Sequence, residues 1–144
     1  MIEAVEHVAL SVSDLDRSIP FYRDLLGFRV ARLIECPPSM RLGDVAGLPG
    51  CTARIAHLVL GGFLLELFEY QDPRGKPIPE DRTQADNGFT HICLRSTDTR
   101  ADWGRLRDRG VPFIGEPLEF RPGVWIAYFR GPDGEVCERR QSGE

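Results

Sequence analysis

The chain has 144 residues, 42% hydrophobic and 28% charged, with 22 acidic against 18 basic side chains and a formal net charge of −4. That length and balance fit one globular domain or two small modules sharing a core, and they exclude a disordered chain. There is no basic excess to displace phosphate counterions, so no nucleic-acid partner is expected. No apolar run is long enough to cross a bilayer; the richest, residues 58–68, is broken by Gly61-Gly62 and carries Glu66, so no membrane partner is expected either. The start of the chain lacks the basic stretch of a secretory signal. Cys36, Cys51, Cys93 and Cys137 form no C-x-x-C pair, so free thiols in a cytoplasmic protein are expected.

In chain order, residues 5–12 read as a strand. Asp14 or Ser18 caps a helix through Phe21, Tyr22, Leu25 and Leu26 that stops at Gly27, with Pro20 tolerable only near its first turn. Strands follow at about 28–34, 53–60 and 63–70, the last two joined by a turn at Gly61-Gly62. Residues 71–88 are polar and rich in Pro, Gly and charge, as a linker is. A second set begins with a strand at 90–95. Asp98 or Thr99 then caps a helix through Trp103, Leu106 and Arg107 to Gly110, weakened by Gly104 by roughly 1 kcal/mol. Strands at about 112–115, 123–130 and 135–140 complete it, the last pair turned at Pro132-Asp133-Gly134.

The order is βαβββ twice, and the residues repeat with it. His7-Val8-Ala9-Leu10 matches His91-Ile92-Cys93-Leu94 at an offset of 84 (91 − 7), and Asp14 and Arg23-Asp24 match Asp98 and Arg107-Asp108. Gly62 to Glu66 matches Gly134 to Glu138 at an offset of 72 (138 − 66). The difference of 12 (84 − 72) places extra residues in the first half, in the Pro- and Gly-rich segment 36–50. These features predict an α+β fold: one domain over 1–144, with a first module over about 1–71, a linker over 71–88 and a second module over 89–144. The two βαβββ modules would form a curved mixed sheet around a cup.

Strand alternation places His7, Ala9 and Ser11 opposite the helix-facing Val8, Leu10 and Val12, and His91 and Cys93 opposite Ile92 and Leu94. Glu66 and Glu138 occupy matched places on the last strand of each module. Glu66 stands in the apolar run FLLELFEY, where an unpaired carboxylate is costly to desolvate. Two imidazoles and two carboxylates at equivalent positions suit one divalent cation, of Fe, Mn, Co, Ni or Zn type, held by His7, Glu66, His91 and Glu138. A two-residue turn at Gly61-Gly62 makes cross-strand partners sum to 123, so His57 falls opposite Glu66 (57 + 66), where it would position Glu66 or touch substrate. Phe68, Trp125, Tyr128 and Phe129 lie on strands expected to line the cup, with strand parity sending some of them outward. Arg41 and Met40 in the inserted segment are candidates for a lid or a contact to an anionic substrate.

These residues resemble the vicinal oxygen chelate superfamily, the glyoxalase/bleomycin resistance/dioxygenase family. The opening EHVALSVSDLDRSIPFYRDLLGF is similar to its first module, and the closing GPDGEVCERRQ to its usual DPDG-x-x-x-E ending. Gly131 stands where an Asp is customary, and Arg139-Arg140 where apolar residues are. The resemblance implies the paired βαβββ fold, the same four metal ligands, a small-molecule substrate and a homodimer. It implies chelation of two neighbouring substrate oxygens and proton transfer by Glu138 or Glu66, the work of an isomerase or lyase. Asp44 in the insert is similar in position to the base of family epimerases. The alternatives are an Fe(II)-dependent extradiol-type dioxygenase, which needs two His and one Glu, and a small-molecule binding or drug-resistance protein.

Overall fold

The computed structural model describes residues 1–143. It divides into two compact units, Met1–Pro77 and Ile78–Glu144, with the boundary inside the polar linker. The first holds β1 (Val8–Ser11), α1 (Leu15–Pro20), β2 (Arg29–Cys36), α2 (Leu42–Ala46), β3 (Thr52–Leu60) and β4 (Phe63–Asp72). The second holds β5 (His91–Arg95), α3 (Thr99–Asp108), β6 (Leu118–Arg121), β7 (Val124–Arg130) and β8 (Val136–Gln141). Each unit is one four-stranded mixed sheet, ordered β1-β4-β3-β2 and β5-β8-β7-β6. The α+β fold and the βαβββ order expected from the sequence are therefore present in both units.

In the first unit α1 covers one face of the sheet. Leu58, Leu65 and Leu67 point to that side and are fully buried with Leu15, Ile19, Tyr22 and Phe28. Burying each such side chain contributes about 1.5–3 kcal/mol. Asp14 caps α1, its side chain accepting from the Asp16 amide at 2.8 Å. Pro20 is the last α-helical residue rather than a first-turn one. It has no N–H for the ladder and its ring crowds the carbonyl a turn earlier, so the chain widens into a π-turn over Phe21–Leu25. That turn keeps Tyr22 buried edge-on against Phe28, with ring centroids 5.8 Å apart.

The insert packs on the other face. Cys36, Ala53 and Ile55 form a small buried cluster there, closed by Leu42 of α2 with Ile34, Phe68 and Tyr70. Gly43 makes the closure possible: a Cβ on it would lie 2.1 Å from the Leu48 carbonyl oxygen. The Leu48 amide donates back to Gly43 at 2.9 Å.

In the second unit Asp98 caps α3, and Leu106 is fully buried, as are Phe129 and Cys137, with Leu94, Val111 and Ala127 also buried. The strand expected at 112–115 is only one bridge, Phe113 to Phe129. Pro112 has no donor, and the ladder position falls instead to β6, the fourth strand of the sheet. The first strand is likewise shorter than expected, beginning at Val8 rather than Val5. Gly131 follows from packing in the last turn: a Cβ there would lie 2.2 Å from Glu135 Oε1, and Glu135 accepts from the Asp133 amide at 2.8 Å. The turn's carboxylate comes from position 135 instead of 131.

Arg139, unusual for its place, is buried on the α3 side and pairs with Asp102 at 3.0 Å. Burial pushes the Arg139 guanidinium down, and Asp102 opposes that shift. Removing one partner strands a buried cation, whereas an apolar replacement of the arginine does not. Asp102→Ala should therefore cost roughly 3–5 kcal/mol in urea unfolding, and Arg139→Met less than about 1 kcal/mol. Equal losses in the two variants would contradict this.

Candidate active site

The two sheets present the same constellation, fixed by strand register. Parallel pairing puts Glu66 beside Ala9 and Glu138 beside Cys93, in each case two residues beyond the histidine. Antiparallel pairing puts His57 opposite Glu66 and Tyr128 opposite Glu138. Each carboxylate thus has a histidine on one neighbouring strand and a further polar side chain on the other. These side chains occupy the face turned away from the helix, where a core would otherwise be starved of polar partners.

In the first unit His7 Nε2 lies 3.2 Å from Glu66 Oε2, and His57 Nε2 lies 2.9 Å from Glu66 Oε1. His7 Nδ1 is held by Glu6, whose hydrogen bond pushes the imidazole above its ordinary 6.5, with Glu66 adding to the rise. In the second unit His91 Nε2 lies 3.0 Å from Glu138 Oε2, while its Nδ1 faces Gln84 Oε1 at 3.1 Å and Thr90 Oγ1 at 3.0 Å. Both nitrogens of each ring therefore face oxygens. A neutral imidazole has one donor and one acceptor nitrogen, so His7, with carboxylate oxygens at both nitrogens, needs a second ring proton or a bound cation, whereas the Thr90 hydroxyl can donate to His91 Nδ1 and leave Nε2–H for Glu138. Nδ1 held by an oxygen acceptor, with Nε2 aimed at the site, is the arrangement of metal-ligating histidines. The donors present thus fit a divalent metal. Among the described residues no three His, Cys, Asp or Glu side chains are gathered as a complete ion-holding set.

Glu138 is ringed more closely than Glu66. Cys93 and Tyr128 both hydrogen-bond to it, and the Tyr128 ring meets His91 edge-on at 5.1 Å. Burial, reinforced by Glu138, pushes the Cys93 thiol up to about 11 and raises the Tyr128 hydroxyl. Both keep their protons at neutral pH and serve as donors to the carboxylate; Cys93 is not a nucleophile here. Counting back from Glu138 across the last turn signals Tyr128, as the 123 sum signals His57. Glu6 and Gln84 carry no motif, because they act from outside the strands.

Of the remaining candidates, Phe68 lies on the Glu66 face, stacked on Tyr70 at 5.9 Å and opposite Ile55. Beside it the insert encloses an open cavity of about 590 Å³, with Ile34, Met40, Leu42, Val45 and Ile55 in its walls. Arg41 and Asp44 are at this cavity, joined to one another at 2.6 Å. Two expected pocket residues are misplaced by the sequence reading. Trp125 and Phe129 share the parity of Ala127 and point to the helix side: Arg100 of α3 lies 4.6 Å over the Trp125 ring, and Phe129 is fully buried against Phe113. Their neighbours Tyr128 and Ile126 take the open face.

A model of the Glyoxalase/Bleomycin resistance protein/Dioxygenase superfamily matches residues 4–138, and the chain belongs to that superfamily. It is 34% identical to 2-epi-5-epi-valiolone epimerase of Actinomyces sp., over 94% of this chain and 77% of the relative. It is 30% identical to metallothiol transferase FosB of Staphylococcus saprophyticus, over 96% of this chain and 76% of the relative. The fold matches a glyoxalase family protein of Bacillus cereus with a TM-score of 0.88 at 20% identity, covering 99% and 97% of the two chains.

The His7 contacts carry a pH signature. A raised folded value means its pairing stabilises the metal-free protein fully below pH about 6.5 and loses that contribution as pH rises through the folded value. His7 should titrate above 6.5 by NMR in metal-free protein, and Glu6→Gln should bring the midpoint down. An unmoved midpoint would deny Glu6 this part.

Proposed function

We propose that the chain is a divalent-metal-dependent isomerase or lyase of the glyoxalase and epimerase type, acting on a small substrate with two neighbouring oxygens. The observation that carries this reading is the repeated contact of an oxygen-held histidine, through Nε2, with a carboxylate: His7 with Glu66, His91 with Glu138. His7, Glu66, His91 and Glu138 are the proposed ligands of one ion. When bound, that ion supplies Lewis-acid polarisation of the substrate oxygens. The chain's residues supply the proton path. Glu138 or Glu66 is the proposed base. Tyr128 and Cys93 orient Glu138 and hold its negative charge; their hydrogen bonds must loosen for the carboxylate to accept a proton. His57 does the same for Glu66. The identity to an epimerase favours the isomerase branch.

The proposed working form is a homodimer. Leu33 on the edge strand β2 and Leu118 and Phe120 on the edge strand β6 are largely exposed apolar side chains. Edges of this kind are normally covered.

Protein purified without added metal should carry divalent metal. His7→Ala and His91→Ala should each lose it while remaining folded by circular dichroism; unchanged metal content in both variants refutes the ligand assignment. Glu138→Gln should lower the rate of α-proton exchange with deuterated water, on any substrate found by screening, by roughly 10²–10⁴-fold. Full activity would remove Glu138 as the base. Oxygen uptake with Fe(II) and catechols would point to the dioxygenase branch instead.

A further inference from the structure

Beyond the carboxylates, the two sheet faces stop being alike. On the parallel pair, the position after the Cys93–Glu138 rung on the same face is Arg95 beside Arg140. At the equivalent rung of the first unit stand Ser11 and Phe68. Two guanidiniums directly across a strand pair repel one another. Nothing nearby offsets them: among the described residues neither Arg95 nor Arg140 forms an ion pair, and the Arg140 Nε is buried without a hydrogen-bond partner. Arg139, between them in sequence, faces the other way and has Asp102. Glu138, the acid one rung away on this face, is already held by His91, Cys93 and Tyr128. Arg95 itself is exposed, so the rung is open to a ligand.

We infer that Arg95 and Arg140 form an oxyanion subsite, and that the substrate carries a carboxylate or phosphoryl group bound there. The rung supplies two planar forks whose donors suit a planar carboxylate or a tetrahedral phosphoryl oxygen set. An anion bound by the two forks would also cancel the repulsion. Such a group would anchor the substrate one rung from Glu138 and leave the neighbouring oxygens for the metal. The inference rests on the proposed catalytic use of this face, yet the anchoring of the anion needs no metal.

The test uses metal-free, ¹⁵N-labelled full-length protein titrated with inorganic phosphate and, separately, with sodium acetate at constant ionic strength. The arginine Nε–H signals of Arg95 and Arg140 are followed by NMR. One of the two anions should shift them saturably, the effective one naming the class. Arg140→Leu and Arg95→Gln should each weaken that binding at least about tenfold. Arg95→Gln, at an exposed position, keeps the test open if Arg140→Leu does not fold. Equal shifts with chloride, no shift with either anion, or unchanged binding in both variants would overturn the inference. Metal content of Arg95→Gln should equal that of the parent. Loss of metal binding in the parent with anion binding intact would sink the metal reading and leave the subsite standing.

Discussion

The meeting of an imidazole Nε2 with a carboxylate across two parallel strands is what the open face of each sheet is built around. It depends on one register relation. The glutamate of the last strand must pair with the residue two beyond the histidine of the first strand, and it does so in both units. A slip of one residue would turn the glutamate to the helix side, into the space of Leu65 or Cys137. The apolar core under α1 and α3 therefore fixes the chemistry on the opposite face. Leu65, Leu67 and Cys137 cannot be moved without moving Glu66 and Glu138.

Much of this was legible from the residues. Alternation in VALS and HICLR, the glycine turns and the repeat offsets located the strands and the four candidate ligands. The hairpin sum gave the His57 partner. Four features escaped for physical reasons. The α-helix ends at Pro20, short of Gly27, and a π-turn carries the chain on over Phe21–Leu25, an option that helix-stop rules do not weigh. The stretch after Gly110 is a bridge rather than a strand because Pro112 withholds a ladder donor. Trp125 and Phe129 lie on a strand expected to line the cup, while their parity, set by pairing of β7 with β8, sends both to the helix side, Phe129 into the core and Trp125 half-buried beneath Arg100. Glu6 and Gln84, which hold the histidine rings, lie outside the strands and leave no periodic signal.

Asymmetry within the repeat separates scaffold from specialisation. The histidine and glutamate positions are the same in both units, whereas their surroundings diverge. The first unit adds His57, Phe68 and the apolar walls brought by α2; the second adds Cys93, Tyr128 and two arginines. The duplicated modules keep a shared chemical pair and vary the adjoining rungs. The first unit's surroundings are largely apolar around Phe68 and Ile55, and the second unit's are rich in donors and positive charge.

The last turn has a consequence for tracing this lineage. Because the Glu135 carboxylate fills the room that a side chain at 131 would need, the two positions are not independent characters. A variant that regains aspartate at 131 is accommodated by the Glu135 side chain swinging aside, which gives up its hydrogen bond from the Asp133 amide.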